Sequence, residues 1–132
     1  NVGVGTTAPT VSVDITGSFR TLPVALTDAA TIATDASKGN IFTVTLAGNR
    51  TLGTPTNPSD GQRLTYIISQ DATGSRTLAY SPAFRYSTDV ASPTLSTAAG
   101  TQDYLAFIYN VRGNVARFQS FDAIAVGKGL SS

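Results

Sequence analysis

Cysteine, histidine, methionine and glutamate are all missing from this chain of 132 residues. Without cysteine there is no disulfide, no thiolate nucleophile and no cysteine-based zinc site. Without histidine the usual general base near neutral pH is gone, and with it the commonest transition-metal ligand. The only side-chain carboxylates are aspartates, at Asp14, Asp28, Asp35, Asp60, Asp71, Asp89, Asp103 and Asp122. Methionine is missing even at position 1, so the chain is expected to be a processed product or a piece of something longer. Charge is scarce as well, at 13% of residues with a formal net charge of +1. No long-range field would then steer a polyanion towards the protein. The Lys and Arg residues are scattered singly, without a basic run or stripe, so nucleic acid is not an expected partner. No hydrophobic stretch approaches the length of a transmembrane helix, and membrane insertion is not expected.

Threonine, serine, alanine, glycine and valine fill the space, a composition of strands and turns. Period-two alternation dominates. In Asn40–Leu46, Phe42, Val44 and Leu46 share one face. In Gln62–Ser69, Leu64, Tyr66 and Ile68 do the same. Tyr104–Tyr109 is apolar on both faces, as expected of a strand that is central or covered by a neighbouring subunit. Val115–Phe121 and Ala123–Val126 complete the set, with an irregularity expected between Phe118 and Phe121, whose parities clash. Ala47–Arg50 should reverse the chain, and Pro55–Gly61 reads as a longer loop. Asp71–Gly74 and Arg112–Asn114 read as hairpin turns. In Leu26–Gly39, Thr27 could cap a short helix that Gly39 ends. The β-branched Thr31, Ile32 and Thr34 favour a strand followed by a tight turn. These elements indicate an all-β fold, an antiparallel β-sandwich of jelly-roll type over residues 21–132. Residues 1–20, rich in Gly, Thr and Pro, read as an extended N-terminal arm.

Few motifs suggest chemistry. Gly3-Val4-Gly5-Thr6-Thr7-Ala8 fits a nucleotide-binding fingerprint, yet no strand can precede it and Pro9 with the β-prone Thr10–Ile15 leaves no helix to follow. It is read as a false match. Hydroxyl nucleophiles abound, but only Lys38, Lys128 or an aspartate could act as their base. A glycosidase-like pair of carboxylates is conceivable, although the aspartates mostly sit beside turn residues, where they accept local backbone hydrogen bonds. No calcium loop is spaced correctly. No catalytic residue, metal or cofactor is therefore assigned, and no receptor-binding residue is identified. The sequon Asn49-Arg50-Thr51 is treated as coincidence. Phe84, Arg85 and Tyr86 could form a sugar-stacking patch, but the preferred reading packs Phe84 and Tyr86 in the core with Arg85 outward. Tyr104, Phe107 and Tyr109 are read as core or subunit interface.

The opening NVGVGTTAPTVSVDITGSFR resembles a segment found in bacteriophage tail-fibre and related virion proteins, where N-V-G-I-G-T-T-x-P precedes an alternating strand and a glycine. The stretches GNIFTVTLAGNRTL, NPSDGQRLTYIISQDATGSRTLAY and TAAGTQDYLAFIYN are similar to a β-rich domain recurring in such proteins. The resemblance implies a non-enzymatic virion protein, usually a homotrimer, with a structural or host-contact role and no catalytic residues. The expected partners are copies of itself, other virion proteins and a host surface glycan or protein. A tail fibre or spike module is the first expectation. A capsid decoration protein is the second, and a carbohydrate-binding module or enzyme is a minor one.

Overall fold

Alternation in the sequence becomes alternation in burial wherever a strand is long enough to show it. The computed structural model describes residues 2–8, 10–111 and 119–131. Phe42, Val44 and Leu46 are buried along β5 (Ile41–Leu46), and Leu64, Tyr66, Ile68 and Gln70 along β7 (Arg63–Gln70). Leu105, Phe107 and Tyr109 are buried along β10 (Gln102–Val111). Shorter strands fill the gaps: β1 (Val2–Val4), β2 (Val13–Ile15), β3 (Val24–Ala25), β4 (Thr31–Ile32), β6 (Arg50–Leu52), β8 (Leu78–Tyr80) and β9 (Phe84–Arg85). The last strand is β11 (Gln119–Leu130).

The fold is all-β, but its pairing departs from the antiparallel jelly-roll expectation. A six-stranded sheet runs β3-β5-β7-β10-β11-β9, and a three-stranded sheet runs β4-β6-β8. From β3 to β8 the chain visits the two sheets alternately, and each visit adds a parallel neighbour to the last. Val24, Phe42 and Tyr66 are thereby stacked in register in one sheet, and Ile32, Leu52 and Tyr80 in the other. This is a short winding of three rungs, akin to a β-solenoid. Among the described residues of this body, antiparallel pairing is confined to β7-β10-β11. The physical reason is that the chain crosses to the opposite sheet after each strand instead of folding back on itself, so it returns to each sheet in the same direction.

The same crossing corrects the turns. Asp71–Gly74 leads from β7 into the other sheet and does not close a hairpin. Ala47–Asn49 likewise forms a corner between β5 and β6. The Leu26–Gly39 stretch does hold a strand, β4, followed by a single 3-10 turn over Ala36–Lys38. Asp35 caps that turn, where Thr27 was the candidate cap, accepting from Ser37 N–H at 3.1 Å and Ser37 Oγ–H at 2.8 Å. The proposed turn Arg112–Asn114, and Val115–Phe118 with the irregularity assigned from Phe118, lie outside the described residues. Within β11 the pairing with β10 slips between Ala106 and Phe107, where Ala125 and then Ala123 are the partners and Ile124 bulges out.

One core lies between the two sheets. Phe42 and Tyr66 stack with centroids 5.6 Å apart, and Phe84 meets Phe107 at 4.8 Å and Phe121 at 5.5 Å. The two-sided strand β10 is central, between β7 and β11. Its outer face, with Tyr104, Ala106 and Ile108, is only half-buried. Ahead of this body, β1 and β2 pair parallel with each other as a separate two-stranded ribbon.

Candidate functional site

Strand β8 ends the three-stranded sheet, and its outer edge faces a cavity instead of another strand. The cavity holds about 530 Å³ and runs between β8 and the extended segment 92–97. Leu78, Tyr80, Phe84, Tyr86, Pro93 and Leu95 supply its apolar wall. The stack Ile32, Leu52, Tyr80 explains its position, since the cavity occupies the place of the next rung.

Two buried polar side chains hold the far wall. Gln70 donates from Nε2 to the carbonyls of Arg76 (2.9 Å) and Ser96 (2.8 Å), and its Oε1 accepts from Arg76 N–H at 2.8 Å. Asp103 is 2% exposed. Its carboxylate accepts from Ser96 N–H (2.6 Å), Ser96 Oγ–H (2.8 Å) and Gly129 N–H (2.8 Å). Segment 92–97 carries no periodicity of its own and is placed by these bonds. Both anchors stand at inward positions of strands, which is the sequence signal that could have found them: a polar residue interrupting the buried parity of β7 and β10.

The phenols set the local chemistry. Tyr80 and Tyr86 meet edge to face, with centroids 5.6 Å apart and planes at 67°. Tyr80 Oη donates to Pro93 O at 3.2 Å. Tyr86 Oη is buried and has no hydrogen-bond partner among the described residues. Burial pushes the Tyr86 phenol up to about 12, and the nearby Ser92 hydroxyl offsets this without completing a hydrogen bond. Burial raises Tyr80 further still. Both therefore stay neutral at physiological pH and can donate or accept a hydrogen bond, but neither can act as a base there.

Phe84 packs in the core and Arg85 points outward, while Tyr86 is half-buried and lines the cavity. Tyr104, Phe107 and Tyr109 divide in the same way: Phe107 and Tyr109 are core, and Tyr104 lies on the outer face of the sheet. The aspartates disperse into local roles. Asp28 pairs bidentately with Arg50, and Asp71 pairs with Arg76. Asp60 accepts from Val111 N–H, and Asp14 from Thr10. Among the described residues no three acidic side chains gather as a metal-ligand group, and no helix is long and apolar enough to cross a membrane. Asn49 of the sequon accepts from Thr77 N–H at 3.1 Å, which ties β6 to β8. Gly3 and Gly5 of the fingerprint lie on the β1-β2 ribbon and just after its first strand, where a Cβ on either would strike a backbone carbonyl.

No family model, curated protein or solved structure matches the chain.

Proposed function

We propose that the protein is a non-enzymatic structural component of a tailed-phage virion that works as an oligomer, as a homotrimer in a tail fibre or spike module serving assembly or host attachment. The observation that carries this reading is the apolar surface left bare at the start of the chain. Val2, Val4, Val11, Val13, Phe19 and Leu22 are all exposed, Phe19 by 78%. A run of this kind in a single copy forgoes the burial that each such side chain could gain, roughly 1.5–3 kcal/mol when complete. Packing against other subunits recovers it. The half-buried outer face of the six-stranded sheet, with Ile41, Ile67, Tyr104 and Ile108, offers a second surface of the same character. The resemblance of NVGVGTTAPT and the β-rich body to tail-fibre and virion proteins supplies the setting.

A second reading within the structural class is a capsid decoration protein, favoured by the extended ribbon ahead of the body, which could grip neighbouring capsid subunits. Counting copies of the chain in purified particles by quantitative mass spectrometry separates the two. A few copies per tail, with density at the fibre or spike, fits the first reading. Hundreds of copies on the head fit the second, and finding none in the particle overturns both.

A further inference from the structure

The free edge of β8 and the free edge of β2 are complementary, and we infer that β2 of one copy adds antiparallel to β8 of the next, filling the vacant rung. The inference rests on the oligomeric reading above and names the contact that builds the oligomer.

The hydrogen-bond ladder fixes which residues can pair. Arg50 N–H donates to Thr77 O and Ser81 N–H to Leu52 O, so Thr77, Ala79 and Ser81 turn their backbone groups to β6. Leu78 and Tyr80 turn theirs the other way, along the cavity, where no strand of the described residues meets them. In the ribbon, Val2 N–H donates to Ser12 O and Thr16 N–H to Val4 O, so Ser12, Asp14 and Thr16 face β1. Val13 and Ile15 present the unpaired edge. Each strand thus offers two residues' worth of open donors and acceptors at the same spacing.

Side-chain parity then selects the direction. Directly opposed residues of paired strands point to the same face. An antiparallel ladder joins Tyr80 to Val13 and Leu78 to Ile15 as hydrogen-bonded pairs, and sends the two apolar side chains inward beside Tyr80 and Leu78. A parallel ladder using the same open groups would send Asp14 inward instead, into an apolar cavity without a partner. Antiparallel addition leaves Asp14 outside, opposite the exposed Ala79. Val2 and Val4, in register with Val13 and Ile15, follow on the same face. Among the described residues the cavity wall holds one charged side chain, Arg76, already paired with Asp71, and no carboxylate, a lining that suits the apolar Val13 and Ile15.

Within one chain β2 pairs with β1 and does not meet β8 among the described residues, so the donor is assigned to a second copy. The ribbon enters the body at β3, at the first rung, whereas β8 lies at the opposite edge of the β4-β6-β8 sheet. Donor and acceptor ends joined in this way give a head-to-tail contact, which closes into a ring when the rotation allows. The mode is strand addition at a sheet edge.

The chain's lack of cysteine allows a clean test. In the antiparallel register Ala79 and Asp14 form a non-hydrogen-bonded pair, with Cα atoms about 4.5 Å apart, within disulfide reach. Asp14→Cys and Ala79→Cys are made in separate proteins, mixed and oxidised, with Thr31→Cys replacing Ala79→Cys as the control on the far rung. After subunit exchange about half of the chains should become covalent heterodimer, because a mixed closed trimer holds one contact with a cysteine on each side, and the control pair should not. In the doubly substituted chain, oxidation should give covalent dimers and closed trimers. A disulfide confined to one chain would overturn the second-copy assignment. An oligomer by light scattering that yields no Asp14–Ala79 cross-link would overturn the strand addition while leaving the oligomeric reading intact, and a strict monomer would remove both. An added soluble oligosaccharide that binds the unsubstituted protein, with no Asp14–Ala79 cross-link formed in its absence, would identify a glycan as the occupant and overturn the inference.

Discussion

Asp103 accepts two hydrogen bonds from the single residue Ser96, one from the backbone N–H and one from the hydroxyl. That clamp joins the central strand to segment 92–97 and so holds open the cavity beside β8. Asp103→Asn keeps the shape but turns an amide NH₂ towards groups that are themselves donors. The expected cost is about 1–3 kcal/mol of folding free energy, the range for leaving buried donors without an acceptor. The midpoint of urea unfolding measures it, and an unchanged midpoint would show that the clamp contributes nothing.

Burial should rank the aromatic residues. Phe107 is 1% exposed and touches Tyr66, Phe84 and Tyr86. Phe107→Ala should destabilise the body by about 3–5 kcal/mol. Phe19→Ala, in the exposed segment, should change monomer stability by no more than about 0.5 kcal/mol. Comparable effects from the two would contradict the described core.

Two glycines with similar backbone angles should respond differently. Gly74 (φ 72°) and Gly61 (φ 77°) both lie in the left-handed region, where a side chain costs roughly 1–2 kcal/mol. At Gly74 an added Cβ would also lie 2.6 Å from Thr97 O and 2.8 Å from Ala99 N, whereas at Gly61 it meets nothing. Gly74→Ala should therefore lower the thermal midpoint well beyond Gly61→Ala. Equal shifts would mean that segment 97–99 does not pack there.

Acid should weaken the fold through half-buried carboxylates. The Arg50 guanidinium beside Asp28, the Asn57 amide beside Asp35 and the Arg76 guanidinium beside Asp71 hold these carboxyls below the ordinary value of 3.8. Each binds a proton less readily in the folded state than in the unfolded one. The stability it adds is present above pH 3.8 and drains away as the pH falls through the lower folded value. Urea midpoints should hold steady from pH 7 to about pH 5 and drop towards pH 3. Because these groups are solvent-screened the drop should be modest. A midpoint that rises in acid would reverse the sign of the argument.

Much of the body was legible because Phe42, Val44 and Leu46, and Leu64, Tyr66 and Ile68, sit in strands long enough to show their period. The inward Phe84 and outward Arg85 were legible from the contrast between an aromatic and a charged neighbour, although β9 has only two residues. The parallel winding was not. Strands β3, β4, β6, β8 and β9 have two or three residues each, too few for a period. A strand's side chains also look the same whether its neighbour runs with it or against it. Asp71–Gly74 carries the residues of a hairpin turn, yet Asp71 instead binds Arg76 and directs the chain to the other sheet. The cavity was hidden because it depends on Gln70 and Asp103 reaching across the fold to hold a segment without pattern.

In the proposed oligomer the bare apolar surface of the first twenty residues is covered by other copies. Light scattering coupled to size exclusion, on the full chain and on a chain beginning at Thr21, reads this directly. The full chain should elute at three times its 13.6 kDa mass, and the shortened one as a folded single chain. A full-length protein that stays at 13.6 kDa up to high concentration, or a shortened one that assembles equally well, would contradict it.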